Sequence, residues 1–198
     1  RLSPWKDRAV DAELHLYAFE RMAVETAVIA GGRGLENDEA RALSARLAQQ
    51  AVERLGSLGI ASRLLREDEV SSSDLAPFST VILPYNSRLT ESLYAAVYRF
   101  IRRGGRALVF YSEDPRLAEL MGVELFPYTR APRFTPWTSF RFERPDRWHV
   151  PERIYQRTGN LVPARPASGD GDVIAAWQHA FGREYEQPAV IATPSGFW

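Results

Sequence analysis

The stretch Thr26–Gly32, TAVIAGG, limits the fold more than any other feature of the chain. It is a short continuous apolar run that stops at a glycine cluster and leads directly into the acidic, helix-patterned LENDEARAL. A run that is apolar on both sides of a strand reads as a strand buried on both faces, which is the situation of a parallel sheet covered by helices. The pattern then repeats. From Asp38 the positions Ala40, Leu43, Leu47, Ala51, Leu55 and Leu58 recur every three or four residues and predict one amphipathic helix, closed by Gly59. IASRLLRED and STVILP read as the second and third strands. Thr90 caps a helix whose Leu93, Val97, Phe100 and Ile101 face inward and which ends at Gly104-Gly105, and RALVFYS is the fourth strand. Asp114-Pro115 opens a further helix that Gly122 closes, with VELFPY as the fifth strand.

Strands alternating with helices at this spacing predict an α/β fold, a flavodoxin-like, doubly wound and mostly parallel sheet with helices on both faces. After Tyr128 the texture changes to proline, arginine and aromatic residues without helical period. There WTSFRFE, DVIAAWQHAF and PAVIATPSGFW read as antiparallel strands added at the sheet edge. Residues 5–22, with Trp5, Ala9, Leu16, Phe19 and Met22 at helical spacing, read as a leading helix packed outside the sheet. The expected organisation is a leading helix over 1–25 and one α/β domain over 26–198, its parallel core ending at 128. The opening Arg1 and the final aromatic pair suggest a piece of a longer polypeptide. Between Phe134 and Trp148 there is more aromatic area than an isolated loop leaves in water, so this segment is expected against the sheet edge or another subunit.

Composition excludes several chemistries. There is no cysteine among the 198 residues, which removes disulfides, zinc thiolates and a cysteine nucleophile. Twenty-five basic residues balance 25 acidic ones, so no net positive field gathers nucleic acid or anionic lipid. No apolar run is long enough to span a bilayer. The three histidines, His15, His149 and His179, have no carboxylate at a spacing that marks a metal site or triad.

In open α/β sheets the ligand crevice lies beyond the carboxyl ends of the strands. That places Gly31–Leu35, Pro84–Arg88 and Tyr111–Asp114 at the site. GGRGLEND matches neither a dinucleotide loop nor a Walker loop, and Glu36, Asp38 and Glu39 crowd the helix start where a phosphate would sit. No cofactor is implied. The glycines then serve a tight turn. Gly31, Gly32, Arg33, Tyr85, Asn86, Arg88, Tyr111 and Ser112 form the candidate ligand-binding set, a mixture of rings and polar groups suited to a carbohydrate or another polar small ligand. Ser112 and Glu113 are the catalytic candidates. Against them stands the reading of Ser112 and Asp114 as the start of the next helix, because Tyr111 and Glu113 replace the small residues of a nucleophile elbow.

The run DLAPFSTVILPYNSRLTESLYAAVYRFIRRGGRALVFYSEDPRLAELMGVEL resembles the class I glutamine amidotransferase-like superfamily, in particular degenerate members such as the beta-galactosidase trimerisation domain. The resemblance covers residues 26–125 and extends to 170–198. Active amidotransferases of this class use a cysteine with a histidine and a glutamate. Ser112 falls near the cysteine position here, and no H-x-E pair follows. The resemblance therefore implies a flavodoxin-like domain kept for ligand binding or assembly, with a homo-oligomer or an adjoining domain as partner, within a carbohydrate-active protein. A hydrolase using Ser112 or Glu113 is the alternative.

Overall fold

The computed structural model describes residues 24–71, 74–131, 137–167, 169, 171–179 and 184–198. The leading helix expected over 5–22 lies outside the described residues. From Thr26 the chain runs β1 (Thr26–Ala30), α1 (Asp38–Ser57), β2 (Ser62–Arg66), β3 (Thr80–Leu83), α2 (Glu91–Arg102), β4 (Arg106–Val109) and α3 (Pro115–Met121). It continues through β5 (Val123–Leu125), β6 (Thr129–Arg130), β7 (Trp137–Phe142), the single turn α4 (Pro145–Trp148) and β8 (Arg153–Thr158). The last strands are β9 (Asn160–Leu161), β10 (Ala164–Pro166), β11 (Asp172–His179), β12 (Glu184–Thr193) and β13 (Gly196–Phe197). Nine of them form one mixed sheet in the order β2-β1-β3-β4-β13-β12-β11-β7-β8.

Alternation along the parallel strands assigns their two faces. Ala27, Ile29, Val81, Leu83, Ala107 and Val109 point to the side where Leu93, Val97 and Phe100 of α2 and Leu117 and Met121 of α3 complete the main core. Val28, Ala30, Ile82 and Leu108 point the other way, onto Ala48, Ala51, Val52 and Leu55 of α1. The chain steps from β1 outward to β2 through α1, then returns and steps the opposite way from β3 to β4 through α2. Helices on opposite faces are what right-handed crossovers require of those two steps. The strand order thus reverses between β1 and β3.

The stripe on α1 is rotated from its expected position. Ser44 and Ala48 are the residues buried in this helix, Leu43 and Leu47 are half-buried, and Leu58 is 73% exposed just past the helix end. Small side chains at 44 and 48 let the helix approach the sheet closely, so the larger leucines flank the contact. Capping follows the sequence. The Thr90 hydroxyl accepts from the Leu93 N–H, the Asp114 carboxylate accepts from the Arg116 N–H, and Gly122 takes the left-handed conformation at φ 72°.

Beyond β4 the sheet departs from a purely parallel continuation. VELFPY contributes β5, which pairs antiparallel with β10 in a separate two-stranded sheet rather than joining the main one. Its place beside β4 is taken by β13, which runs parallel to β4 and pairs Gly196 with Ala107 and Phe197 with Leu108. PAVIATPSGFW is accordingly the end of β12, a turn and β13, with the Thr193 hydroxyl accepting from the Ser195 N–H in the turn. The final strand is interior, not an edge. Trp198 packs against the main core and exchanges both backbone hydrogen bonds with Ile191, at 2.8 and 2.9 Å.

The four remaining strands, β12, β11, β7 and β8, are antiparallel to their neighbours. Their aromatic residues form a second apolar layer. Trp177 meets Phe140 edge-on at 5.4 Å, Phe142 meets Phe140 at 5.7 Å, and Trp148 meets Phe197 at 5.8 Å. Of the aromatic segment, Trp137, Phe140 and Phe142 are therefore part of the sheet itself and Trp148 packs onto Phe197 from α4, whereas Phe134 lies outside the described residues.

Candidate functional site

Three loops meet beyond the carboxyl ends of β1, β3 and β4, at the point where strand order reverses, the usual position of a ligand crevice in an open α/β sheet. The first is the glycine loop. Glycine-loop N–H groups cradle phosphate in nucleotide-binding proteins, yet here those of Gly31, Gly32 and Gly34 are taken internally. The Gly31 N–H donates to the Ser44 hydroxyl at 2.8 Å, and that hydroxyl donates to the Tyr85 carbonyl at 2.7 Å. Gly32 and Gly34 donate to one carboxylate oxygen of Glu67, at 2.5 and 3.3 Å. The other oxygen of Glu67 accepts from the Thr90 N–H at the start of α2, at 2.8 Å.

Glu67 is 1% exposed and opens a short 3₁₀ turn directly after β2. A carboxylate of the chain thus occupies the anion seat formed by a glycine loop and a helix N-terminus. The glycines are needed for closeness: a Cβ on Gly34 would stand 2.3 Å from the Arg88 carbonyl oxygen, and one on Gly32 2.9 Å from the Asp68 carboxylate. Arg33 points outward and lies 3.7 Å from Asp68.

The second loop carries Tyr85, Asn86, Ser87 and Arg88. Asn86 is fully buried, and its amide links the Ile29 carbonyl and the Gly31 N–H, both at 3.3 Å. Asn86 is thus a strut beneath the crevice. Arg88 is exposed. Tyr85 is half-buried and stacks flat on Tyr111 of the third loop, centroids 4.9 Å apart and planes 6° from parallel. The Tyr111 hydroxyl donates to the Glu113 carboxylate. Burial, then the Glu113 carboxylate, pushes the Tyr111 phenol above its ordinary range; for Tyr85 burial comes first, followed by Glu113, Glu36 and Tyr128. The mouth of the crevice is aromatic, with the Glu113 carboxylate at its edge.

Ser112 is 2% exposed. Its hydroxyl donates to the Ser87 carbonyl at 3.4 Å and accepts from the Asp114 N–H at 3.2 Å. That is the geometry of a helix entry. His179 ends β11, three strand spacings from β4 and so about 14 Å away across the sheet. His149 follows α4, at φ 52°. Among the described residues no group of three or more His, Cys, Asp or Glu side chains is arranged to hold a metal ion, and no helix is long and apolar enough to cross a membrane.

Next to Ser112, Asp114 is 2% exposed and fixes the third loop to the second. Its carboxylate accepts from the Leu89 N–H at 3.1 Å and the Arg116 N–H at 3.0 Å, and is held by the Arg116 guanidinium at 2.9 and 3.1 Å. Burial raises this carboxyl, but the hydrogen bonds from Arg116 and from the Leu89 and Arg116 N–H groups, with the arginine charge, outweigh it and hold the acid below its usual value. A depressed acid contributes stability above its unfolded value of about 3.9, lost as pH falls through the lower folded value. Asp114→Asn should cost about 2 kcal/mol at neutral pH. In urea titrations the gap between wild type and variant should close as the pH is lowered below about 4. A gap independent of pH would remove the charge from this account.

The structure brings Gly31, Gly32, Tyr85, Asn86, Tyr111 and Ser112 to one end of the sheet, where Glu67 and Ser44, unread in the sequence, join them. Glu67 heads the acidic trio Glu67-Asp68-Glu69, which reads as a solvated turn. Its position immediately after β2, at the same end of the sheet as the glycine loop, was the available signal.

No family model matches the sequence, and no curated protein matches it. Solved structures do. A ThuA-like protein from Bacteroides uniformis superposes with a TM-score of 0.64 at 13% identity, over 89% of this chain and 81% of that one. A glutamine amidotransferase from Thermotoga maritima gives 0.56 at 10% identity, over 89% and 74%. The fold is amidotransferase-like. An exo-beta-1,4-mannosidase from an Opitutaceae bacterium, strain TAV5, gives 0.59 at 15% identity, with 94% of this chain matched to 32% of the enzyme. The chain therefore spans about a third of that mannosidase.

Proposed function

We propose that this amidotransferase-like chain is a non-catalytic domain that serves ligand binding or assembly within a larger, carbohydrate-processing protein. The observation that carries the reading is the state of Ser112. A nucleophile at the elbow position needs an accessible hydroxyl, a base within hydrogen-bond reach and free N–H donors for the oxyanion. Here the hydroxyl is buried and committed to the Ser87 carbonyl and the Asp114 N–H. The Gly31, Gly32 and Gly34 N–H donors of the glycine loop are committed to Ser44 and Glu67. Support for a larger host comes from the mannosidase, in which this fold accounts for 32% of the chain.

The test is turnover. The purified protein is assayed with glutamine, nitrophenyl acetate and a set of nitrophenyl glycosides, alongside Ser112→Ala and Glu113→Gln. No turnover is expected from any of the three proteins. A rate that falls by roughly a hundredfold in either variant, the scale of losing a nucleophile's partner or a general acid, would replace this reading with the hydrolase alternative.

A further inference from the structure

We propose that the mouth of the crevice binds a neutral saccharide, with the C–H face of a pyranose against the outer ring face of the Tyr85–Tyr111 stack and its hydroxyls donating to Glu113. This rests on the non-catalytic reading of the same crevice and adds the class of ligand. Three observations support it.

The first is shape. Tyr85 and Tyr111 lie face to face, centroids 4.9 Å apart and planes within 6°, so each covers one face of the other and the half-buried stack presents an outer ring face at the strand ends where ligands of open α/β sheets sit. A flat aromatic wall with a few fixed polar groups is the common composition of a small-molecule site.

The second is the supply of hydrogen bonds. The floor beneath the wall offers none: Asn86 and Ser44 are satisfied by Ile29, Gly31 and Tyr85. The rim offers acceptors. Glu113 takes one hydrogen bond from Tyr111, and a carboxylate has room for more. A ligand that lies on the stack and reaches Glu113 must bring an apolar face and donors, as a sugar ring does.

The third is sign. The Glu113 carboxylate is hydrogen-bonded to Tyr111 at the edge of the stack, and the Gly32 and Gly34 N–H groups are already taken by Glu67. Beside Glu113 a sugar phosphate or uronic acid meets a carboxylate, and it finds the Gly32 and Gly34 N–H groups occupied. Neutral sugars escape that cost.

Saturation-transfer NMR and calorimetry on the whole chain, with cellobiose, lactose and mannobiose as neutral probes, glucuronate and glucose 6-phosphate as anionic ones, and arginine methyl ester as a cation, test the assignment. At least one neutral disaccharide should bind with a millimolar dissociation constant, at least tenfold tighter than either anion. Tyr85→Leu and Glu113→Gln should each weaken it tenfold or more. Glu113→Gln preserves size and lies at the rim, so it reports even if the tyrosine variant fails to fold. Three results would overturn the proposal: no saturation transfer to any neutral disaccharide, neutral binding unchanged in Glu113→Gln, or binding of the arginine ester alone. None of these would produce turnover, so the non-catalytic reading would survive them. Turnover that tracks Glu113 would overturn that reading instead.

Discussion

Glu67→Ala should destabilise the protein by about 4 kcal/mol, because it strands three backbone N–H groups that now share one buried carboxylate, each orphan costing about 1–3 kcal/mol before water reaches it. Gly32, Gly34 and Thr90 come from two different loops, so the carboxylate also ties the β1 end to the start of α2. Glu67→Gln should cost about half as much. Its single carbonyl oxygen can serve Gly32 and Gly34, but its amide would face the Thr90 N–H, donor against donor. Urea unfolding measures both: the midpoint should fall in the order wild type, Gln, Ala with little change in slope. An alanine variant within 1 kcal/mol of wild type would mean that water replaces the carboxylate freely and that Glu67 organises nothing.

The second large effect belongs to Gly196, the residue that joins the two halves of the sheet. Its φ is 134°, and a Cβ there would stand 2.0 Å from the Ala107 carbonyl oxygen. Backbone cannot yield as a flexible side chain can, so Gly196→Ala must separate β13 from β4. That contact is where the antiparallel strands attach to the parallel core. The expected cost is about 4 kcal/mol or a failure to fold. Gly104→Ala supplies the control. Gly104 also has a positive φ, 93°, but nothing lies within 4 Å of its added Cβ, so only the backbone strain of about 1 kcal/mol applies. Thermal melts of the two variants isolate the contact from the strain. Equal losses would show that the close approach of β13 to β4 is not what holds the sheet together.

These two residues also mark where sequence reading stops. The parallel core was legible because its signals are local: TAVIA is apolar on both faces, Thr90 and Asp114 cap helices in their own sequence neighbourhood, and Gly122 ends one. The antiparallel half was legible strand by strand but not in order. Whether β5 or β13 lies beside β4 depends on a contact between Gly196 and Ala107, nearly ninety residues apart, and a glycine in a turn-like PSG gives no sign of it. The site followed the same rule. Tyr85, Asn86, Tyr111 and Ser112 could be placed because each follows a recognisable strand. Ser44 was hidden as one polar residue beside an apolar helical stripe. Glu67 was hidden by its charge, since an acidic run normally faces water and only the loop donors of other segments make a buried carboxylate favourable. The acidic first turn of α1 led to the expectation that phosphate is excluded; the more direct obstacle is Glu67 in the seat itself.

That seat is the centre of the account, and the amide resonances of Gly32 and Gly34 report on it most directly. Inorganic phosphate and flavin mononucleotide are titrated into the nitrogen-15-labelled protein while those two resonances are followed. With the carboxylate of Glu67 in place, neither should move through millimolar ligand. Saturable shifts of both with a micromolar dissociation constant, about −8 kcal/mol of binding, would show that a phosphate displaces Glu67 and that the crevice is a nucleotide site after all.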